Sequence, residues 1–129
     1  MIILGGGLVG LTLAIALDRH GVTSIVVDPA EPEQHLAPQY DGRVTAVSSS
    51  SWRMLEAIGV AERLEGRGCP IEAIRVNELL REGAIVFEPP AGDDPLGLMF
   101  ENRLIRGALR EAAVAAEGVT LVMPARPAQ

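Results

Sequence analysis

Apolar and polar positions alternate along this chain in blocks that change period. Ile2-Ile3-Leu4 is a short apolar run that cannot continue as a helix, because three glycines follow at once. Leu8 to Leu17 is apolar nearly all round, the pattern of a helix buried against a sheet. Asp18-Arg19-His20-Gly21 supplies a polar last turn with a glycine just beyond it. Ser24-Ile25-Val26-Val27 is a second strand-like run and ends on Asp28. Pro29 to Asp41 is proline-rich and acidic and reads as a loop. Ser48 to Ser51 offers N-cap candidates for a helix through Trp52, Leu55 and Ile58, stopped by Gly59. Val60 to Gly66 reads as a short further helix.

Beyond this point the period shifts to that of strands. Ile71–Asn77 and Ala84–Glu88 are expected to pair as an antiparallel hairpin around Arg81-Glu82-Gly83. Leu79-Leu80 is unusually apolar for its tip. Pro89 to Pro95 is loop, and Leu98-Met99-Phe100 a short extended piece. Asn102 is a candidate cap for a helix to about Ala116, with Leu104, Ile105, Ala108, Leu109 and Ala112 facing inward and Gly118 ending it. Val119-Thr120-Leu121-Val122 has the composition of a buried strand, and Pro124 to Gln129 trails. The expected fold class is α/β: a Rossmann-type parallel sheet, with a β-hairpin insertion that begins a second sheet. Residues 1–68 and 97–129 form the first part, and 69–96 the insertion.

The chemistry is concentrated at the start of the chain. Gly5, Gly7 and Gly10 form G-x-G-x-x-G between a strand and a helix, the context in which that spacing carries meaning. Gly5 permits the tight turn, Gly7 has no side chain to hold a pyrophosphate off the backbone, and Gly10 lets helix and strand pack closely. Leu8 and Val9 open the helix with N–H groups that lack intrahelical partners at the positive end of the dipole, where a diphosphate is the natural guest. Asp28, 18 residues beyond Gly10, stands where a carboxylate can take the two hydroxyls of an adenosine ribose.

Composition narrows the field. At 129 residues the chain fits one domain, and a net charge of −6 with no basic cluster argues against a nucleic-acid partner. Aromatics at 3% are too few for base-stacking platforms. A single cysteine, Cys69, excludes an internal disulfide framework and a cysteine-rich metal site; it is expected in a loop and not as a nucleophile. His20 and His35 lack metal-ligand spacing and read as surface residues. No basic n-region precedes the first apolar run, and Leu8–Leu17 is too short to span a bilayer, so a soluble, cytoplasmic chain is expected. Its mean hydropathy of +0.25 is high for one.

Three blocks together resemble the N-terminal third of class A flavoprotein monooxygenases, in particular the ubiquinone-biosynthesis hydroxylases, with para-hydroxybenzoate hydroxylase a more distant relative. The first is the glycine-rich βαβ unit through Asp28. The second is Asp41-Gly42-Arg43-Val44-Thr45-Ala46 with the serine-capped helix and Leu55–Val60. The third runs from Gly97 through Glu101-Asn102-Arg103 to Leu109, leading into Gly118–Leu121. The resemblance implies that Gly5, Gly7 and Gly10 cradle the pyrophosphate of FAD and that Asp28, where glutamate is commoner, takes its ribose. It implies that Arg43 lies beside the flavin's ribityl and ring end, and Arg103 near the ribityl-pyrophosphate portion, where a fork-shaped cationic donor suits phosphate oxygens.

In that family NAD(P)H reduces the FAD, and dioxygen then hydroxylates an electron-rich aromatic ring, here a polyprenylated quinone precursor. Such substrates imply peripheral association with the inner membrane. The family's second flavin fingerprint, a Gly-Asp block, and most of the substrate domain would lie beyond Gln129. The expectation is therefore the FAD-binding part of an aromatic-ring hydroxylase, a fragment meant to pack against the rest of its own chain. The alternatives are a stand-alone weak dinucleotide-binding module and an inert remnant. None of these residues is expected to act as a catalytic acid, base or nucleophile.

Overall fold

The computed structural model describes residues 1–31, 42–77 and 83–126. In chain order the elements are β1 (Ile2–Leu4), α1 (Leu8–Arg19), β2 (Ser24–Val27), β3 (Val44–Ser48), α2 (Ser49–Ala57), a single 3-10 turn (Ala61–Arg63) and β4 (Cys69–Pro70). There follow β5 (Ile74–Asn77), β6 (Ala84–Phe87), β7 (Gly97–Glu101), α3 (Asn102–Ala115) and β8 (Val119–Val122).

The first and last strands meet in one sheet. β1, β2 and β8 are parallel in the order β1-β2-β8, with Ile3 opposite Val26 and Val26 opposite Leu121. Side chains alternate across the sheet, so Ile3 and Val26 point to one face and are buried. That face is covered by α1 through Leu11, Ala14 and Ile15, and by α3 through Ile105, Ala108, Leu109, Ala112 and Ala113. The amphipathic pattern of α3 is thus realised as read, with Leu104 half-buried at the edge of the core.

The opposite face of the sheet is bare. Ile2 and Leu4 are 70% and 67% exposed, and Ile25 and Val122 join them on that side. β8, expected as a buried strand, is half-exposed for this reason. α1 is likewise open along one side at Val9 and Leu13, although its sequence is apolar nearly all round.

A second sheet, antiparallel in the order β3-β7-β4, stands beside the first. β3 pairs with β7 over its whole length, from Val44 opposite Glu101 to Ser48 opposite Gly97. Phe100 projects from β7 into the core, only 1% exposed, and stacks on Trp52 of α2 with ring centroids 5.6 Å apart. Gly68 is required beneath it, because a Cβ there would lie 2.6 Å from the Phe100 ring. Leu55, Ile58, Val60 and Leu64 complete this side of the core.

Several boundaries differ from the sequence reading. β3 was not expected; its residues are mixed, with only Val47 buried, and it pairs along its whole length with β7. Ser48, the first of the expected N-cap candidates, does cap α2 by accepting the Ser51 N–H, but the helix then starts at Ser49, ahead of Trp52. Val60–Gly66 forms one 3-10 turn, not a helix, with Val60 and Leu64 serving as buried anchors on either side. Cys69-Pro70 is a two-residue strand against Met99 and Leu98 instead of a loop. Glu101 occupies the N-cap of α3, while Asn102, expected there, is its first residue and accepts the Thr45 hydroxyl proton at its Oδ1. Gly118 does not end α3, which stops at Ala115; it donates its N–H to Asp18 at the end of α1.

β5 and β6 pair antiparallel as a separate two-stranded sheet, with Ile74 opposite Phe87 and Asn77 opposite Ala84. The expected loop centres of Pro29–Asp41 and of the hairpin tip fall mostly outside the described residues, as does His35. Among the described residues no helix is long and apolar enough to cross a membrane.

The two sheets' packing makes a direct prediction. Phe100→Ala should cost about 3–5 kcal/mol in urea unfolding, whereas Phe87→Ala on the exposed hairpin should stay within about 0.5 kcal/mol. Equal costs would show that the Phe100–Trp52 cluster is not the core of the second sheet.

Candidate dinucleotide site

β1 ends in a turn that only glycine can make. Gly5 has φ +106°, and its N–H donates to the Val27 carbonyl at 2.8 Å, tying the turn to the end of β2. At Gly10, on the first turn of α1, a Cβ would overlap the Gly5 carbonyl oxygen. These two glycines bring the helix start against the strand end.

Gly7 is different. Its backbone is extended (φ −79°, ψ −168°), a conformation open to any residue, and a Cβ there would meet nothing within 4 Å. Neither backbone nor packing demands glycine at this position. Gly7 is the N-cap of α1 and, having no side chain, makes no cap hydrogen bond, and no acidic residue occupies the first turn of the helix. Leu8 and Val9 therefore begin the helix with outward N–H groups at its positive end, below the space that a side chain at position 7 would fill. Val9 is 84% exposed. This arrangement fits a diphosphate ligand: backbone donors at the helix start, no acidic residue in its first turn and no bulk in front of them.

Asp28 lies directly beneath this turn, buried, and its Oδ2 accepts the Gly6 N–H at 2.6 Å. Gly6 is a residue that the motif treats as variable. It is buried, and a Cβ there would collide with the Met123 methyl group. Its one signal in the sequence is the unbroken run of three glycines.

The arginines belong to a neighbouring part of the surface. Asn102 donates its N–H to the Arg43 carbonyl at 3.1 Å, which sets Arg43 and Arg103 at the same end of the β3–β7 ladder. Arg43 is exposed beside Val44. Arg103 donates from Nε to the Glu101 carboxylate, and this hydrogen bond raises its pKa above the ordinary guanidinium value, against a smaller opposing effect of desolvation. Thr45, two residues past Arg43, lines an apolar groove of about 470 Å³ together with Leu8, Val9 and Thr12 of α1 and Ile105 of α3. The groove thus joins the start of α1 to the strand that follows Arg43. Thr45 stands in the second sequence block but was given no site role there, since a lone threonine in an unrecognised strand gives no signal.

A more polar hollow at the far end of α1 is lined by Arg19 and Arg63. There Arg19 donates to the Ile58 carbonyl and Arg63 to the Gly59 carbonyl, so both brace helix ends.

Comparison with known proteins agrees with this geometry. The profile described as FAD binding domain matches residues 1–120. The chain is 40% identical over 126 residues to the ubiquinone hydroxylase UbiL of Rhodospirillum rubrum, covering 98% of this chain and 29% of that protein. It is 35% identical over 125 residues to the 3-demethoxyubiquinol 3-hydroxylase of Escherichia coli, covering 95% and 32%. Among solved structures, p-nitrophenol 4-monooxygenase PnpA from Pseudomonas putida superposes with a TM-score of 0.68 at 19% identity, over 94% of this chain and 30% of that one, which shows a shared fold. The chain spans about a third of the length of these curated relatives. A glycine turn with an uncapped helix start, set in a parallel β1-β2-β8 sheet and matched along nearly the whole chain, places this protein in the FAD-binding domain family of the class A flavoprotein monooxygenases.

Proposed function

We propose that this chain is the FAD-binding part of an NAD(P)H-dependent aromatic-ring hydroxylase acting on a polyprenyl phenol in ubiquinone biosynthesis. The observation that carries the FAD assignment is Gly7: a glycine that the fold itself does not require, opening the space over the first N–H groups of α1. The relatives' names support the choice of substrate class, because two of them that match over nearly the whole chain are ubiquinone-pathway hydroxylases.

In this reading Gly5, Gly7 and Gly10 shape the pyrophosphate cradle, and Leu8 and Val9 donate to it. Asp28 stands on the ribose side. Arg43 and Arg103 line the path toward the flavin end, their positive charge matching phosphate oxygens. Bound FAD would supply the redox chemistry, taking reducing equivalents from NAD(P)H and delivering one atom of dioxygen to the ring. The chain's own work is to bind, orient and exclude water.

The bare faces favour a partner within the same protein. Parallel sheets are ordinarily covered on both sides, and the β1-β2-β8 sheet is covered on one. The hairpin carries Val76, Ile85 and Phe87 exposed, and a lone two-stranded ribbon is marginal in water. Within residues 69–96, the β5–β6 hairpin is accordingly assigned to a substrate-domain sheet that the rest of the hydroxylase continues, while β4 stays paired with β7; the polyprenyl substrate draws that protein to the periphery of a membrane. The same exposure supports the second reading, a chain that on its own holds FAD weakly and performs no turnover.

Binding, stability and turnover measurements test this. FAD titrated into the chain should show fluorescence changes at a saturable site. Gly7→Val should weaken binding by about a hundredfold or more while costing only about 1 kcal/mol of stability. Gly10→Ala should do the reverse in order of cause, losing about 1–3 kcal/mol of stability before any ligand is added. Retained FAD affinity in Gly7→Val would overturn the cradle assignment. In a full-length hydroxylase carrying this domain, FAD-dependent NAD(P)H oxidation stimulated by a polyprenyl phenol is expected. Stimulation by a water-soluble phenol alone would overturn the substrate class.

A further inference from the structure

Asp28 makes more contacts than an acceptor for ribose hydroxyls needs. It is 9% exposed, at the end of β2. Oδ2 accepts the Gly6 N–H at 2.6 Å, and Oδ1 accepts the Ala30 N–H at 2.8 Å. Its backbone N–H donates to Val122 and its carbonyl accepts from Ala125, both at the end of β8. Four hydrogen bonds thus pin this residue to three segments of chain before any ligand is present.

Gly6 is held as tightly. A Cβ on it would lie 3.2 Å from the Asp28 Cβ and would overlap the Met123 methyl group. Its N–H belongs to the peptide joining Gly5 to Gly6, so the carboxylate fixes the orientation of that peptide plane. Gly7 and the opening of α1 follow directly. A charged acceptor in a buried place makes a stronger hydrogen bond than a neutral one, and leaving the Gly6 donor unpaired there would be costly.

We propose that Asp28 is a positioning residue: its carboxylate, steadied by Ala30, anchors the Gly6 N–H and holds the glycine turn in its diphosphate-binding shape in the absence of ligand. This deepens the FAD reading and takes its ligand from it, yet the anchor itself can be read without one. It also separates from a ribose contact. A ribose acceptor affects only ligands that carry a ribose, whereas an anchored turn affects a bare diphosphate as well.

The experiment compares the chain with Asp28→Ala and Asp28→Asn, each labelled with 15N. Without ligand, the Gly6 amide should exchange with solvent about tenfold faster or more in Asp28→Ala. Asp28→Asn, whose Oδ1 can still accept, should fall between, and the amides of α3 should be unchanged in both. Inorganic pyrophosphate and ADP are then titrated, and Asp28→Ala should weaken pyrophosphate binding and should weaken ADP binding by at least the same factor, since ADP also loses the ribose contact, with partial rescue in Asp28→Asn. The proposal is overturned if Gly6 exchange is unaffected in both variants, or if ADP binding falls while pyrophosphate binding does not. Should the unaltered chain bind neither ligand, the FAD reading fails, and the Gly6 exchange rates still decide the anchor. If Asp28→Ala does not fold, Asp28→Asn carries the comparison: normal Gly6 protection with unaltered pyrophosphate affinity would count against the anchor.

Discussion

The structure turns on one close approach, that of the first turn of α1 to the end of β1. There is no room between Gly10 and the Gly5 carbonyl for a single methyl group. This contact sets the helix start immediately above the carboxyl ends of β1 and β2, where ligands of open parallel sheets bind. It also puts at the helix N-terminus a glycine, Gly7, whose lack of a side chain leaves the space over the first N–H groups open. Backbone donors at the start of a helix, so placed, suit an anion. Asp28 and Met123, both pressed against Gly6 from below, keep the turn from relaxing into some other shape.

Much of this could be read from residue order because each element there is dictated locally. Ile2–Leu4 must stop at the glycines, Leu8–Arg19 has the composition and the ending of a helix, and Ser24–Val27 is a strand by length and branching. The heptapeptide-like spacing of Ile105, Ala108, Leu109 and Ala112 likewise specified which side of α3 faces the core. What the residue order concealed depends on partners distant in the chain. β3 and β4 both pair with β7, which lies between them, and neither Val44–Ser48 nor Cys69-Pro70 was expected as a strand. The buried place of Gly6 is set by Met123, more than a hundred residues away, and a motif written as G-x-G-x-x-G cannot register it.

The candidate site shows the same division. The glycine turn of Gly5, Gly7 and Gly10 and the helix start at Leu8 and Val9 are local and were legible. The placement of Arg43 and Arg103 together at one end of the β3–β7 ladder is a product of register, Val44 opposite Glu101, that only the folded chain displays. The groove between α1 and β3 has one counterpart in the sequence. A helix that is apolar nearly all round, with Val9 and Leu13 left exposed, is made for a neighbour on its second side. The bare face of the parallel sheet carries the same implication, and both agree with a chain that spans about a third of its curated relatives.

A crystal structure of the chain with FAD tests the central claim most directly. The account predicts the diphosphate over Gly7, within hydrogen-bonding distance of the Leu8 and Val9 N–H groups, with the flavin end running toward Thr45 and Arg43. FAD seated elsewhere, for instance in the hollow lined by Arg19 and Arg63, with the glycine turn left untouched, would contradict it.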